Sequence, residues 1–348
     1  MQGASIGCVK VFEPALRTRE RERKIRAMIE CRPRGGLLDG SAWPRAMIYE
    51  DEARKKFAGF IMVMIDTTAH VELQDTWDPN GNFGWAARVV VAANLAAVVA
   101  EVHSAGHRIG DLRERNVLVN ANSQVALVDC DSFEIRDHAG SRFYSGVGTP
   151  DYLPPELLVL THRQQGSLRG VGRYHSDLHA LAVIFFQLLM NGTHPYSARG
   201  PGIDYTLAPR VEKIMAGTYP YVDTGGQLLR PAHAPSIDVV PPVIADMFRQ
   251  TFVDGHKNPA RRPSASEWRD ALLEAAKSTK VCRSDRTHSY SDHLSGCPWC
   301  KAIAVRKRSK RRASLVRRSR SKVAPVGLAI GTLIVVLILL VKFSIIGY

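Results

Sequence analysis

Residues 107–133 read HRIGDLRERNVLVNANSQVALVDCDSF. Asp111 is followed five positions later by Asn116, and Asp129 closes an apolar run eighteen positions after Asp111. The apolar runs 117–120 and 125–129 flank a short polar turn and predict a pair of strands. Loops on either side of such a pair bring two carboxylates and an amide toward one point. Phosphoryl transfer needs such a set: one carboxylate to orient the attacking hydroxyl, and an amide and a second carboxylate to hold Mg2+. The plainer alternative is that Asp111 and Asn116 only cap the turn between a helix and a strand. Asp129, at its spacing, favours the chemical reading.

Working outward, VKVF (9–12) predicts a strand, and the charged residues 17–30 predict an amphipathic helix with Ile25, Met28 and Ile29 on its apolar stripe. GFIMVMI (59–65) reads as a buried strand. Residues 85–103 are Ala- and Val-rich and apolar nearly all round, which predicts a helix in the middle of a lobe. Further helices are predicted over 177–191, 241–253 and 264–277, with Gly- and Pro-rich loops between them. A small β-containing part followed by a mostly helical part is an α+β arrangement.

With these motifs in order, the chain resembles the protein kinase family. GDLRERN fits the catalytic loop, with Asp111 as its aspartate and Asn116 as its asparagine. VALVDCD lies where the family has its metal-binding element, with Asp129 as the aspartate. GTPDYLPPE (148–156) resembles the end of an activation segment, and its Thr149 the threonine that bonds the catalytic aspartate. SDLHALAVIFFQLLMNGTHPY (176–196) is similar to the helix that anchors the catalytic loop, through Asp177. NPARRPSASE (258–267) resembles the closing arginine element, in which Arg262 would pair with Glu156. Within the family the chain is closer to a bacterial branch whose catalytic loop reads Gly-Asp and whose metal loop reads Asp-x-Asp-Ser-Phe. AWP (42–44), GFIM (59–62) and CPWC (297–300) also look like that branch.

The resemblance implies a two-lobed fold over 1–277, with an N-lobe of about 1–66 and a C-lobe of about 67–277. It implies ATP and Mg2+ as cofactors, with Asn116 and Asp129 as metal ligands and Asp111 as the residue that orients the hydroxyl. Arg113 falls where serine/threonine kinases carry a lysine against the γ-phosphate. Lys10, in VKVF, is similar to the strand lysine that holds the α- and β-phosphates. Its partner is expected to be Glu22, with Glu20 and Glu30 as rivals. Adenine is expected near 62–66, beside Met62 and Met64, at the inter-lobe hinge.

Three departures stand out. Only nine residues precede Lys10, and Gly3 and Gly7 do not make a G-x-G-x-x-G loop. Either the first strand of the N-lobe is missing, the start lies upstream, or the loop is dispensed with. Gly110 stands where an arginine normally receives an activation-loop phosphate, so Ser141, Tyr144 and Ser145 are weak regulatory candidates. Ile109 replaces the catalytic-loop histidine, a packing change.

The formal net charge of +14 is concentrated at one end. RKRSKRRASLVRRSRSK (306–322) holds ten Lys or Arg and no acid, and the apolar stretch that follows predicts a transmembrane helix over 323–346. The basic flank places everything before it on the cytoplasmic side, making the chain a single-pass inner-membrane protein with its catalytic part in the cytoplasm. The run at 305–322 then reads as a juxtamembrane segment attracted to anionic lipid, and no specific nucleic-acid partner is expected. Cys282, His288, Cys297 and Cys300 are spaced by six, nine and three residues, which suits one structural Zn2+ in a knuckle over 278–304, with His293 as an alternative to His288.

The expected function is a membrane-tethered protein kinase that transfers the ATP γ-phosphoryl group to protein serine or threonine hydroxyls. The alternatives are a pseudokinase scaffold, favoured by the absent Gly-rich loop, and a small-molecule phosphotransferase.

Overall fold

β1 (Gly7–Val11), β2 (Ala46–Tyr49) and β3 (Phe57–Val63) form an antiparallel sheet in the order β1-β3-β2. Phe57, Ala58 and Phe60 of β3 are buried, and the Phe12 ring packs 5.8 Å from both Phe57 and Phe60. Gly59 stands opposite Val11, where a β-carbon would overlap the Lys10 carbonyl, so glycine is needed for the two backbones to approach. The computed structural model describes residues 7–309, apart from 52, 54–55, 79–80, 164–167, 169, 201–208 and 224.

Helix α1 (Arg19–Glu30) begins at Thr18, whose hydroxyl accepts the Arg21 N–H, with Glu20 and Glu22 in the first turn. Both features suit a helix N-terminus, where free N–H groups and the dipole favour oxygen and negative charge. Ile25, Ala27 and Met28 are buried on its inner side. The buried Trp43 ring ties this helix down. Its indole N–H donates to the Met28 carbonyl at 2.9 Å, and its ring packs T-shaped with Phe133, with centroids 5.9 Å apart.

After β3 the chain runs into β4 (His70–Glu72) and then α2 (Trp85–Ser104), the buried apolar helix the sequence predicts. By length and composition α2 could cross a bilayer, but it is a core helix packed against α4 (Tyr174–Leu189) and α8 (Ala265–Lys277). β5 (Val117–Asn120) and β6 (Val125–Leu127) join β4 in an antiparallel sheet ordered β4-β5-β6. A small hairpin, β7 (Ile135–Arg136) with β8 (Arg142–Phe143), follows.

The helical part continues with α3 (Pro155–Arg163), α4, α5 (Arg210–Met215) and α6 (Pro242–Arg249). A π-helical turn, Gln250–Asp254, leads into α7 (Gly255–Lys257), and α8 opens on a reciprocal Ser264–Glu267 capping box. The short strands β2 and β4 hold no buried residue. The architecture is the expected α+β one.

A last hairpin, β9 (Thr279–Val281) with β10 (Ser289–Ser291), docks on α2, where the Ser289 hydroxyl accepts the Ala86 N–H at 2.8 Å. The chain divides into two compact units. One holds the described residues up to Cys282 together with Arg286–Ser295; the other holds Arg283–Asp285 and the described residues from Gly296, including a helix over 298–309. The predicted transmembrane helix at 323–346 and the basic run from 310 onward lie outside the described residues.

Candidate active site

The catalytic loop is held from below by one buried carboxylate. Asp177, near the start of α4, accepts the Ile109 N–H at 2.7 Å and the Gly110 N–H at 2.8 Å, and His103 Nε2 lies 3.0 Å from the same group. Gly110 takes φ +79, where a side chain is disfavoured, and a β-carbon there would lie 2.6 Å from Ser145 Cβ. That contact is why glycine, and no larger residue, precedes Asp111.

Asp111 is oriented by the activation segment. Its Oδ1 accepts both the N–H and the hydroxyl of Thr149, each at 2.8 Å, while Oδ2 faces Arg113 Nε at 3.6 Å. The buried Asn116 donates its amide to the Asp111 carbonyl at 2.9 Å, so the amide atom left for a cation is its oxygen. The Asn116 carbonyl in turn accepts the Val128 N–H at 3.0 Å, which sets Asp129 beside it. Asp129 has φ +55, a left-handed conformation that aspartate tolerates better than most residues. The turn after it is closed by the Ser132 N–H and hydroxyl on the Asp129 carbonyl, at 3.0 and 2.8 Å.

The lysine strand delivers Lys10 to the same place, and Lys10 Nζ donates to Asp129 Oδ1 at 2.8 Å and to Asp131 Oδ1 at 2.6 Å. Burial works against this ammonium, but Asp131 and Asp129 outweigh it and hold its pKa above the ordinary lysine value. Asp111, Asn116, Asp129 and Lys10, singled out along 120 residues of sequence, are thus connected through a few hydrogen bonds. Met62 and Met64 lie at the C-terminal end of β3, on the connection to β4, and Met64 is exposed.

Glu22 is not the partner of Lys10. It accepts from Arg26 at 2.9 Å and from the Tyr49 hydroxyl at 3.0 Å, on the helix face turned toward β2. Glu20 and Glu30, the rivals, are exposed. The reason is helical geometry: residues 22 and 26 share one face, and Lys10 meets the metal loop on another. Lys24 is the α1 residue that responds to that acidic pair. Burial lowers its pKa to about 8, while Asp131 pulls the other way.

One more residue carries the site without a sequence motif. Arg173, fully buried before α4, donates to the Gly110 carbonyl and, at 3.0 Å, to the Val147 carbonyl. An arginine from another segment therefore links catalytic loop and activation segment, although position 110 has none. Ser145 is buried against Gly110, whereas Ser141 is exposed and Tyr144 is 41% exposed. At the far end of the segment, Arg262 grips Glu156 through two bonds of 2.6 and 2.9 Å, as the family resemblance implies, and also holds the His175 and Gly255 carbonyls.

The family model of the protein kinase domain matches residues 48–270, well over half of the chain. The chain belongs to the protein kinase family. It is 30% identical over 274 residues to protein kinase YegI of Escherichia coli O157:H7, an alignment covering 76% of this chain and 41% of that protein. The YegI protein of strain K12 is 30% identical over 273 residues, with 76% and 40% covered. A cGMP-dependent protein kinase of Drosophila melanogaster is 25% identical over 151 residues, covering 42% of this chain and 15% of the relative. The chain thus spans about two fifths of the length of the bacterial kinases it matches. The kinase match begins at residue 48, after Lys10 and α1, so the Lys10 contacts rest on the structure alone.

Cys282 and His288 are backbone partners in the last hairpin, where the Cys282 N–H donates to the His288 carbonyl at 2.9 Å. Cys297 and Cys300 stand at the start of the helix over 298–309, and the Lys301 N–H reaches the Cys297 carbonyl at 3.3 Å.

Proposed function

We propose that this chain is a protein kinase that transfers the γ-phosphoryl group of ATP to serine or threonine hydroxyls of a protein substrate. The observation that carries the reading is Asp111 locked by Thr149 on one oxygen, with Asn116 donating to the Asp111 carbonyl and accepting the N–H of Val128, the residue before Asp129. Asp111 would orient the acceptor hydroxyl and take its proton. Lys10 would hold the α- and β-phosphates, and Arg113, whose guanidinium offers a fork of donors, would meet the γ-phosphoryl group. Mg2+, held by the Asn116 oxygen and the Asp129 carboxylate, would neutralise charge on the phosphates. Thr149 beside Asp111 supports serine or threonine as the acceptor, and Gly148–Glu156, similar to the segment that shapes a peptide groove, supports a protein over a small molecule.

The basic run and the apolar segment 323–346 support a tether in the inner membrane, with the kinase domain on the cytoplasmic side and anionic lipid at the run. The spacing of Cys282, His288, Cys297 and Cys300 supports one structural Zn2+, whose four protein ligands would leave no position open for chemistry.

The test is intact-mass spectrometry of the full-length chain after incubation with Mg2+ and ATP, and with a generic basic protein substrate. Phosphate additions on chain or substrate, lost by roughly a hundredfold or more in Asp111→Asn and Asp129→Asn, are the expected result. A second reading is a signalling scaffold that keeps the kinase fold without turnover. No addition by the wild type to itself or to substrate would overturn the kinase reading and favour the scaffold.

A further inference from the structure

The carboxylate that positions the phosphate-holding lysine comes, in this chain, from an unexpected place. A lysine that reaches across a cleft needs a fixed acid beside it, because a four-carbon stem loses much rotamer freedom when held in one pose. Helix α1 is the usual candidate to supply that acid. Here its acids face elsewhere: Glu22 is engaged by Arg26 and Tyr49, and Glu20 and Glu30 are exposed. The α1 residue nearest in charge to the site is basic, since Lys24 interacts with Asp131 and Asp129. Among the described residues, Lys24 has no hydrogen-bond or ion-pair partner.

The two aspartates of the metal loop differ in setting. Both accept from Lys10 Nζ, Asp129 at 2.8 Å and Asp131 at 2.6 Å. The Asp129 side chain is 48% exposed, open to a cation, whereas that of Asp131 is only 13% exposed. Asp131 belongs to a short helical turn, Cys130–Ser132, closed by the Phe133 N–H on the Cys130 carbonyl, and Phe133 is clamped by Trp43. A cation arriving at Asp129 would take that carboxylate away from Lys10. The enclosed Asp131 would remain.

We propose that Asp131, the second aspartate of the metal loop, is the positioning residue for Lys10 and does the work of the absent helix glutamate, with the metal left to Asp129 and Asn116. The inference rests on the kinase reading above. It puts lysine position and metal ligation on one loop, so that whatever moves the loop moves both, and α1 contributes a cation where an acid is expected.

The test is a double-mutant cycle on the full-length chain, with ATP KM, kcat and the Mg2+ requirement as readouts and a fluorescent ATP analogue for binding. Asp131→Asn is expected to raise the ATP KM roughly 10- to 100-fold, the range for losing one hydrogen bond to a charged group. Its Mg2+ requirement at saturating ATP stays at the wild-type value. Adding Asp131→Asn to Lys10→Ala causes no further loss, since both remove the same interaction. Lys24→Glu, which puts an acid back on α1, lowers the ATP KM of Asp131→Asn but raises that of the wild type. An unchanged ATP KM in Asp131→Asn overturns the inference. So do losses that add to those of Lys10→Ala, which show that Asp131 acts apart from the lysine, and a shifted Mg2+ requirement, which makes Asp131 a metal ligand. A wild type that neither transfers phosphate nor binds the analogue sinks the kinase reading and this inference with it. An active wild type with a silent Asp131→Asn sinks the inference alone.

Discussion

Asp177→Asn is the sharpest probe of how the fold positions its chemistry. Asp177 touches no substrate in any reading, yet its two oxygens receive the Ile109 and Gly110 N–H groups at 2.7 and 2.8 Å, directly before Asp111. Asparagine has the same shape but offers one acceptor. Its amide nitrogen would face a second donor, leaving one buried N–H without a partner. An orphaned buried group costs about 1–3 kcal/mol, and each bond to a charged acceptor is worth roughly 1.5–3 kcal/mol. We expect a net loss of about 2–4 kcal/mol. For a domain of this size each kcal/mol shifts Tm by about 2–4 °C, so thermal unfolding should come roughly 4–16 °C earlier. A freed Gly110 also lets Asp111 drift, and a displacement of about 1 Å is enough to lower kcat on the order of a hundredfold. The ATP KM should hold, because Lys10 and Asp129 stand on other elements. Differential scanning fluorimetry and steady-state kinetics read both effects. A Tm within about 1 °C of wild type and an unchanged kcat would show that the catalytic loop does not depend on this carboxylate.

The other predictions probe the braces and the metal. Arg173→Met, which removes the donors on the Gly110 and Val147 carbonyls, should raise amide exchange across 145–149 and lower kcat. Exchange unchanged from wild type would assign Arg173 to packing alone. His194 is fully buried between the Asp151 carbonyl and the Tyr196 N–H, and burial lowers its pKa to about 3, with His179 also held well below the ordinary value by burial. Below about pH 6.5 the unfolded chain takes up protons that these folded imidazoles refuse. Stability should therefore fall as pH drops from about 6.5 toward 3, by at most about 1.4 kcal/mol per pH unit for each histidine. His194→Gln should flatten that slope in denaturant titrations, and a slope equal to wild type would assign the acid sensitivity to other groups. Elemental analysis should find one zinc per chain, lost in Cys297→Ser/Cys300→Ser; a zinc-free wild type would remove the knuckle.

Much of this site can be read along the chain because its residues come in short, ordered signatures. Asp111 and Asn116 share one loop, Asp129 ends the next strand, and Thr149, Glu156, Asp177 and Arg262 follow in sequence. Each motif needs fixed local spacing to function, and so it leaves a local trace. The helices were equally legible where their apolar positions repeat, as over 85–104 and 265–277. Tertiary structure alone decided the partner of Lys10. From sequence, Glu22 looks suitable, on the face of Ile25 and Ile29, but which face of α1 meets the lysine strand depends on how Trp43 pins the helix to Phe133. The role of Arg173 was equally hidden, because a single buried arginine has no spacing rule and its acceptors, the Gly110 and Val147 carbonyls, are backbone atoms that any residue carries. Sequence determines which chemical groups lie on which loop; which of them meet across the cleft is decided by helix rotation and loop packing, which depend on contacts between segments far apart in the chain.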